Sequence, residues 1–370
     1  MGTPDFSVPT LRALVEAGHS IVGVYCQPDK QKGRGKQIQM PPVKEAALSL
    51  DLPVYQPITL RDDAVQKELI DLAPDVIVVI AYGKILPPWL IRLPKYGCIN
   101  IHASILPKYR GAAPIHYAIL NGDTKTGVTI MHMDDGLDTG DIIDIAEIDI
   151  LPNETTGALF DRIAELGART ISPVLDKWVK GEITATPQDD ALASHTSKIT
   201  KEMGLIDWHQ PEHKIVNLIR GLNPAPGCYS FLQGKRLKIW SAQMVEITSV
   251  NNKMATIFVN NNEIPVEFAP PGTIVHTAKG LVVSTGDQGF ILLTEVQPEN
   301  KKRISAQDFI NGHQIKGGIA FEEVQYILQK IPFIFKIIGS ILFIHFNNHR
   351  LFNVYSLARI RKNIIQLSFY

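Results

Sequence analysis

The sequence predicts an α/β protein with a mostly parallel sheet, followed by a second, smaller β domain. The run DVIVVIAYG at Asp75–Gly83 is continuously apolar and rich in β-branched residues, which is typical of a parallel strand buried on both faces. Strand-like and helical patterns alternate up to about residue 179, and this alternation favours a parallel α/β sheet. Beyond about residue 197, short strand-like runs follow one another with turn-forming residues between them.

Helices are predicted where apolar residues recur at three- and four-residue spacing. In the first of them Val8, Leu11, Leu14 and Val15 share one face, and an Asn/Thr capping region precedes the last. The helical segments are Phe6–Ala17, Val43–Leu50, Val65–Leu72, Ala113–Asn121 and Thr156–Val179. The strand segments of this half are Ile21–Cys26, Val76–Ala81, the stretch that ends at His102, Val128–Met133 and Ile142–Ile148.

A lapse in these patterns separates the two halves. From Gly181 to about His195 the residues are small and polar, so residues 181–196 are predicted to link a first domain over 1–180 to a second over 197–320. Residues 321–370 are set apart as an atypical apolar and basic tail. The strands predicted in the second domain are Leu237–Trp240, Ala255–Val259, Gly280–Ser284 and Phe290–Glu295.

Charge and cysteine content exclude several classes of protein. Lys and Arg number 37 and Asp and Glu number 37, but no acidic residue follows Glu323, and the six basic residues beyond it leave 31 basic against 37 acidic residues in the body. A nucleic-acid partner must therefore be held by local basic patches. The three cysteines, Cys26, Cys98 and Cys228, are scattered without metal-ligand spacing, which indicates a reduced, cytoplasmic protein without a disulfide framework or a zinc site.

Asn100 and His102 form the most informative pair of polar residues. They lie two apart at the end of an apolar run, and side chains at i and i+2 of a strand point to the same face. Open α/β sheets bind ligands at the carboxyl ends of their strands, so a carboxamide and an imidazole can converge there on one reacting atom. A lone histidine in this position is usually structural, and the pair alone is a weak signal.

Several motifs together give this chain a family resemblance. It resembles the folate-dependent formyltransferases from Gly2 to about Gly318, with the motifs in the family's order. The resemblance implies the Rossmann-like formyltransferase fold for the first domain and an OB-like barrel for the second. The matching segments are GTPDFSVPTL, QPDKQKGRGK, NIHASILPKYRGAAPI, MDDGLDTGD, IRGLNPAPG and VQPENKKRISAQDFING.

The resemblance also implies a reaction. A formyl group passes from 10-formyltetrahydrofolate to an amine, here the α-amine of methionine on initiator tRNA, through a tetrahedral oxyanion. Asn100 and His102 would bind that oxyanion, and Asp138 in the GLDTGD loop would keep His102 charged and help to position the water or base that takes the amine proton. No metal, bound nucleotide or membrane is implied, and a monomer is expected.

The substrate-binding residues are likewise implied by resemblance. The SILP segment matches the loop that lines the reduced-folate site, although it could be a plain exit from a strand. The basic loop near Gly33 and Gly35 is expected at the acceptor end of the tRNA, with a solvated surface as the alternative. The expected folate contacts are Ser104, Ile105, Leu106, Pro107, Ile80 and Tyr82. The expected tRNA contacts are Lys32, Arg34, Lys36, Lys235, Arg236, Lys301 and Lys302.

Other functions stay open at this stage. A formyltransferase acting on a small amine, or a formyl-folate hydrolase, would share Asn100, His102 and Asp138, but neither is expected to carry both the QKGRGK loop and the second domain. A catalytically dead scaffold that binds tRNA is the rival from another class. The carboxylates of Asp134, Asp135 and Asp141 could in principle bind a divalent ion, but capping of their own loop is the simpler interpretation.

The two ends depart from the family pattern. Met1 directly precedes the GTPDF turn, where the family has a strand of several residues that would lie centrally in the sheet. The absence of that strand is expected to remove ladder hydrogen bonds and core side chains. Our hypothesis is that the natural start lies upstream or that this chain is truncated. At the other end, Gln329–Tyr370 matches nothing in the family. Its apolar part, Ile331–Phe346, is shorter than the roughly 20 residues that a membrane-spanning helix needs.

Overall fold

The computed structural model describes residues 1–32 and 37–322, which form one compact unit. The α-helices are α1 Val8–Glu16, α2 Pro42–Ser49, α3 Asp63–Asp71, α4 Pro88–Ile91, α5 Pro114–Asn121, α6 Thr156–Val179, α7 Glu212–Gly221 and α8 Ala306–His313. The strands of the first half are β1 Val24–Tyr25, β2 Lys30–Lys32, β3 Gln37–Gln39, β4 Val54–Tyr55, β5 Ile77–Val79, β6 Cys98–His102, β7 Arg110–Gly111, β8 Lys125–His132, β9 Ile142–Asp149 and β10 His195–Thr196. Those of the second half are β11 Cys228–Leu232, β12 Lys235–Met244, β13 Glu246–Val250, β14 Met254–Val259, β15 Asn262–Glu267, β16 Ile274–His276, β17 Leu281–Ser284, β18 Phe290–Pro298 and β19 Ile304–Ser305.

The sheet of the first half is parallel on one side of β6 and antiparallel on the other. β1 pairs with β4 and β5 pairs with β6 in parallel, whereas β8 lies antiparallel to both β6 and β9. The carboxyl end of β6 therefore opens between a parallel and an antiparallel neighbour. This confirms the predicted α/β class with its mostly parallel sheet.

Met1 and Gly2 join the two parallel pairs into one layer. The Met1 amino group donates to the Val78 carbonyl over 2.7 Å, Ile80 N donates to Met1 O over 2.9 Å, and Gly2 N donates to Tyr25 O over 3.0 Å. Burial lowers the pKa of this amino group to about 6. A cavity of about 630 Å³ is lined by Met1, by residues of β1 and β5 and of the segments just before them, and by residues of α1. The predicted strand Ile21–Cys26 is shorter in the structure, because β1 comprises only Val24 and Tyr25 and the chain just before it lines this cavity.

Helix α6 covers one face of the sheet and has the bounds that the sequence predicts. Thr155 caps its first turn by accepting a hydrogen bond from Ala158 N over 3.3 Å. Leu159, Ile163 and Ile171 are fully buried against the sheet and α1, and each such side chain contributes roughly 1.5–3 kcal/mol on burial. The helix thereby fixes the strands that carry the polar residues of the site.

The second half is a curled antiparallel sheet with its own core. Its strands follow the order β11, β12, β18, β17, β16, with β19 beside β18, and β13, β14 and β15 form a three-stranded extension. α5 packs against α7, and Thr156 Oγ1 donates to Gly221 O over 2.6 Å, so the two halves are in direct contact. The predicted β-rich second domain is confirmed. The domain limits at residues 180, 197 and 320 stay predictions.

The predicted tail lies almost wholly outside the described residues. Only Phe321 and Glu322 are described, and the Phe321 ring stacks on Trp208 with 4.6 Å between ring centroids. The apolar run predicted within Gln329–Tyr370 belongs to the remainder. Over the described ranges, no helix combines the length and the apolar character that crossing a bilayer requires.

Candidate active site

Asn100 and His102 lie on β6, as the spacing predicts. Asn100 is the central residue of the strand and is half-buried, and no hydrogen bond engages its carboxamide within the part of the chain that the structure describes. His102 ends the strand and is only 6% exposed. A carboxamide without a partner beside a buried imidazole leaves polar donors free for a ligand.

The two ring nitrogens of His102 have different surroundings. Nε2 lies 3.0 Å from the Tyr109 carbonyl oxygen, and because a carbonyl can only accept, Nε2 donates. Nδ1 lies 3.6 Å from Asp138 Oδ2, beyond hydrogen-bond range but within that of a strong charge interaction. The ring is thus anchored through one nitrogen, while the other faces a carboxylate.

The GLDTGD loop turns the Asp138 side chain inward. Asp138 has a φ of +55°, in the left-handed region, and its Oδ2 accepts a hydrogen bond from Gly111 N over 2.7 Å. Two residues on, a Cβ at Gly140 would meet His132 O at 1.8 Å, so only glycine fits there. The loop therefore approaches the backbone after β8 closely enough to bring the carboxylate to His102.

The residues expected to contact folate are mostly buried. Ser104 Oγ donates to Lys108 O over 2.6 Å, and Leu106 N donates to Thr129 Oγ1 over 3.0 Å, so the SILP segment is a hydrogen-bonded turn directly after β6. Ile105 and Pro107 are half-buried. Ile80 belongs to the core under α6 and is 3% exposed. The structure thus brings this turn, but not the Ile80 side chain, to the accessible end of β6.

Tyr82 is also a core residue. It is 2% exposed in the apolar cluster around Leu69 and Leu90, and its buried hydroxyl has no hydrogen-bond partner among the described residues. Burial raises the pKa of that hydroxyl to about 12. Contact of Ile80 and Tyr82 with folate stays a prediction.

The residues expected to contact tRNA lie in two regions. The backbone of Lys32 ends β2, which forms an antiparallel hairpin with β3, whereas Arg34 and Lys36 fall outside the described residues. Lys235 and Arg236 are exposed at the start of β12, and Lys301 and Lys302 are exposed in the turn after β18.

Two aromatic residues on this second region escaped the sequence analysis. The Arg236 guanidinium lies 5.7 Å from the Tyr229 ring centroid, and Lys238 Nζ and Arg303 Cζ each lie 5.1 Å from the Trp240 ring centroid. The i, i+2, i+4 spacing of 236, 238 and 240 on a strand was the signal that could have predicted a shared face. We call Tyr229, Arg236, Lys238, Trp240 and Arg303 the basic-aromatic face.

Two further residues beside Asp138 were not among the predicted site residues. Arg110 is 3% exposed, and its guanidinium donates to Gln188 Oε1 and to Asp190 Oδ1. Gln188 in turn donates to the backbone carbonyls of Asp138 and Gly140. Gln188 is 78 residues from Arg110 along the chain, and local pattern does not report a contact of that separation.

Two other carboxylates of the loop, those of Asp134 and Asp135, have partners. Asp134 accepts hydrogen bonds from Thr139 Oγ1 and Gly136 N, and Asp135 pairs with Arg92 on the surface. Over residues 1–32 and 37–322, no three His, Cys, Asp or Glu side chains are grouped as metal ligands. Loop capping accounts for Asp134.

Comparison with known proteins identifies the class of protein. The family profile described as formyl transferase matches residues 1–175, and the profile of the formyl transferase C-terminal domain matches residues 198–314. An N-formyltransferase from Helicobacter canadensis, solved with folinic acid and dTDP-3-aminofucose, has the same fold, with a TM-score of 0.56 at 20% identity over 80% of this chain and 97% of that one. The chain belongs to the formyl transferase family and is a one-carbon transferase.

Among its relatives are methionyl-tRNA formyltransferases, which it matches over nearly their whole length. That of Bacillus licheniformis is 44% identical over 320 residues, which cover 86% of this chain and 96% of the relative. That of Bacillus subtilis is 43% identical over 319 residues, with 86% and 95% covered. This similarity spans both halves of the structure.

Proposed function

We propose that this protein transfers the formyl group of 10-formyltetrahydrofolate to the α-amino group of methionine on initiator tRNA, for the initiation of translation. The observation that carries the proposal is the convergence of Asn100, His102 and Asp138 at the carboxyl end of β6. Relatives named methionyl-tRNA formyltransferase that align over both halves support the choice of substrates.

The reaction exchanges one carbon–nitrogen bond for another. The methionyl amine attacks the formyl carbon, a C–N bond forms, and the carbonyl electron pair moves onto oxygen. Collapse of this tetrahedral species breaks the bond between the formyl carbon and N10 of the folate, and N10 gains the proton that the amine loses. A negative oxygen exists only between these two steps, so donors aimed at it accelerate the reaction selectively.

Asn100 and His102 are the proposed donors to that oxygen. The Asn100 carboxamide is half-buried and has no hydrogen-bond partner among the described residues, so binding the oxyanion breaks none of the hydrogen bonds described there. The Tyr109 carbonyl holds His102 Nε2, which leaves Nδ1–H of the charged ring as the donor. One such donor is typically worth roughly 3 kcal/mol of activation free energy.

Asp138 is proposed to keep the His102 ring positively charged. Its carboxylate is almost fully buried, 3.6 Å from Nδ1, where the dielectric screening of water is weak. A charged imidazole is a stronger donor than a neutral one. The same carboxylate, held by Gly111 N, is placed to orient the water or base that removes the amine proton.

The SILP turn is the proposed floor of the folate site. Ser104 and Leu106 fix the turn from within, while Ile105 and Pro107 keep part of their apolar surface accessible. Ile80 and Tyr82, which are buried, would act through the backbone that they hold. The pterin ring is flat, so one of its faces can lie against the apolar surface of such a turn.

We propose two tRNA-binding regions. The loop with Lys32, Arg34 and Lys36 would hold the acceptor end, and Lys235, Arg236, Lys301 and Lys302 would hold phosphates of the tRNA body. We further propose that the protein acts as a monomer in the cytoplasm. Three buried free cysteines are in keeping with a reducing compartment.

The test is a formyl-transfer assay with the full chain. Product is measured by mass spectrometry after 10-formyltetrahydrofolate is supplied with methionyl initiator tRNA, with methionyl elongator tRNA, or with glycinamide ribonucleotide. Formylation of the initiator species alone is expected. Transfer to the small amine alone would establish a small-amine formyltransferase, and release of formate without acceptor would establish the hydrolase. Binding of tRNA with no turnover would leave a non-catalytic protein.

A further inference from the structure

The Gln188 side chain makes four hydrogen bonds next to the candidate active site. Its Oε1 accepts from Arg110 Nε over 3.0 Å and from Arg110 Nη2 over 2.9 Å. Its Nε2 donates to Asp138 O over 2.9 Å and to Gly140 O over 2.8 Å. These bonds use both acceptor and both donor positions of the amide, so the side chain is fixed in one orientation.

The Asp138 backbone needs such support. Its φ of +55° is uncommon for a residue other than glycine, and such a conformation persists where neighbouring groups hold it. Gln188 holds its carbonyl, and Gly111 N holds its carboxylate over 2.7 Å. Gly111 directly follows Arg110, and Arg110 is hydrogen-bonded to Gln188. The backbone carbonyl and the carboxylate of Asp138 are therefore both held by groups that belong to or adjoin the Gln188–Arg110 pair.

The chain segment that carries Gln188 also holds the other neighbour of His102. Tyr109 N donates to Ser194 Oγ over 2.9 Å, and Arg110 N donates to Ser194 O over 2.8 Å. Parallel pairing of β7 with β10 continues this contact. Residues 188–196 therefore bind the backbone on each side of the imidazole, at Tyr109 and at Asp138.

We propose that Gln188 and Arg110 are positioning residues, which set the distance from the Asp138 carboxylate to the His102 ring. Through Gln188, the segment between the two halves thereby affects the rate of catalysis. This inference rests on the function proposed above. Arg110 supplies a buried positive charge, balanced by Asp190 at 2.8 Å, on which the Gln188 oxygen is anchored. Neither residue contacts the reacting atoms, since each acts through Asp138.

Gln188→Glu distinguishes an effect on the position of Asp138 from an effect on the stability of the fold. The variant keeps an acceptor for Arg110 and adds an opposite charge, so the buried guanidinium retains its partner. It replaces the donor with an oxygen that faces two carbonyls, which repels the Asp138 backbone. We expect kcat to fall about tenfold to a hundredfold, as for a small misplacement of a catalytic group, while the melting temperature and both KM values stay close to those of the wild type.

The decisive measurement combines this change with Asp138→Asn in a double-mutant cycle. If Gln188 acts through Asp138, Gln188→Glu lowers kcat in the wild-type background but by no more than about twofold in the Asp138→Asn background. Gln243→Glu, an exposed change on β12, is the matched control and leaves kcat unchanged.

Four outcomes would overturn the inference. Equal losses in both backgrounds would show that Gln188 acts elsewhere, and no loss in either would show that it positions nothing. An impaired Asp138→Asn enzyme beside a fully active Gln188→Glu enzyme rejects positioning but keeps the proposed function. Full activity of Asp138→Asn alone rejects the proposed role of Asp138 together with this inference.

Discussion

His102 Nδ1 lies 3.6 Å from Asp138 Oδ2, with the two side chains 7% and 11% exposed. Two residues separated by β7, α5, β8 and the start of the GLDTGD loop thus form a buried imidazole–carboxylate pair. Asn100 lies two residues before His102, and its carboxamide has no hydrogen-bond partner among the described residues. In the proposed function this arrangement stabilises negative charge on the reacting oxygen, and no covalent intermediate is needed.

Asp138→Asn is expected to reduce kcat by about tenfold to a hundredfold. The substitution preserves shape and an oxygen for Gly111 N, but it removes the negative charge that stabilises a charged His102. KM for folate and for tRNA should change little, because Asp138 contacts neither in the proposal. The control is Asp135→Asn in the same loop, whose carboxylate is exposed and pairs with Arg92; a comparable loss there would contradict the assignment.

Arg236→Ala is expected to raise KM for tRNA and leave kcat nearly unchanged. Arg236 is exposed on the basic-aromatic face, and loss of one phosphate contact should lower the slope of log affinity against log salt by about 1. Filter binding between low and moderate salt measures this slope. Lys253→Ala, an exposed change on the distant β13–β14 turn, serves as the control, and equal effects of both changes would point to a non-specific charge effect.

His116 is expected to weaken the fold in mild acid. Burial lowers its pKa below the usual 6.5, although a hydrogen bond to Ala225 O partly opposes this. Below pH 6.5 the unfolded chain therefore binds a proton that the folded protein excludes, so the free energy of unfolding falls as the pH drops through this range and recovers above it. Melting temperatures at pH 5.5 and 7.5 should differ less in His116→Asn than in the wild type. An unchanged difference would contradict this assignment.

The three cysteines are expected to resist alkylation in the native state. Cys26, Cys98 and Cys228 are free and buried, and burial raises the pKa of the Cys98 and Cys228 thiols to about 12. A thiol reacts as thiolate, so both burial and pKa oppose labelling. Mass spectrometry after iodoacetamide should show no adduct in buffer and three in denaturant. Rapid native labelling of any one would show that its half of the structure opens locally.

The local pattern of residue types in the sequence predicts features that depend on residues close together in the chain. The limits of α6 were predicted because a cap and a long apolar stripe define it, and Asn100 and His102 share a face because strand side chains alternate. Ile21–Gly23 read as strand but lie outside β1, since β pairing depends on a neighbouring strand as well as on propensity.

Features that depend on distant contacts were not predictable. Gln188 was placed in a featureless linker, yet its amide reaches Arg110 and the Asp138 backbone. Tyr82 is expected at the folate site by resemblance, and its burial in the apolar cluster around Leu69 and Leu90 depends on residues distant in the chain. Its contact with folate stays a prediction. Family resemblance supplied Asp138, whose position depends on a left-handed backbone turn that sequence spacing alone does not reveal.

The most direct test of the central claim is single-turnover formylation of methionyl initiator tRNA by the wild type, Asn100→Ala and His102→Ala, each shown to be folded by a cooperative melt. The oxyanion assignment predicts turnover by the wild type and a loss of roughly a hundredfold or more in each variant, with tRNA affinity retained. Activity within about threefold of the wild type in either variant would contradict that assignment, since loss of a donor to a developing oxyanion cannot cost so little.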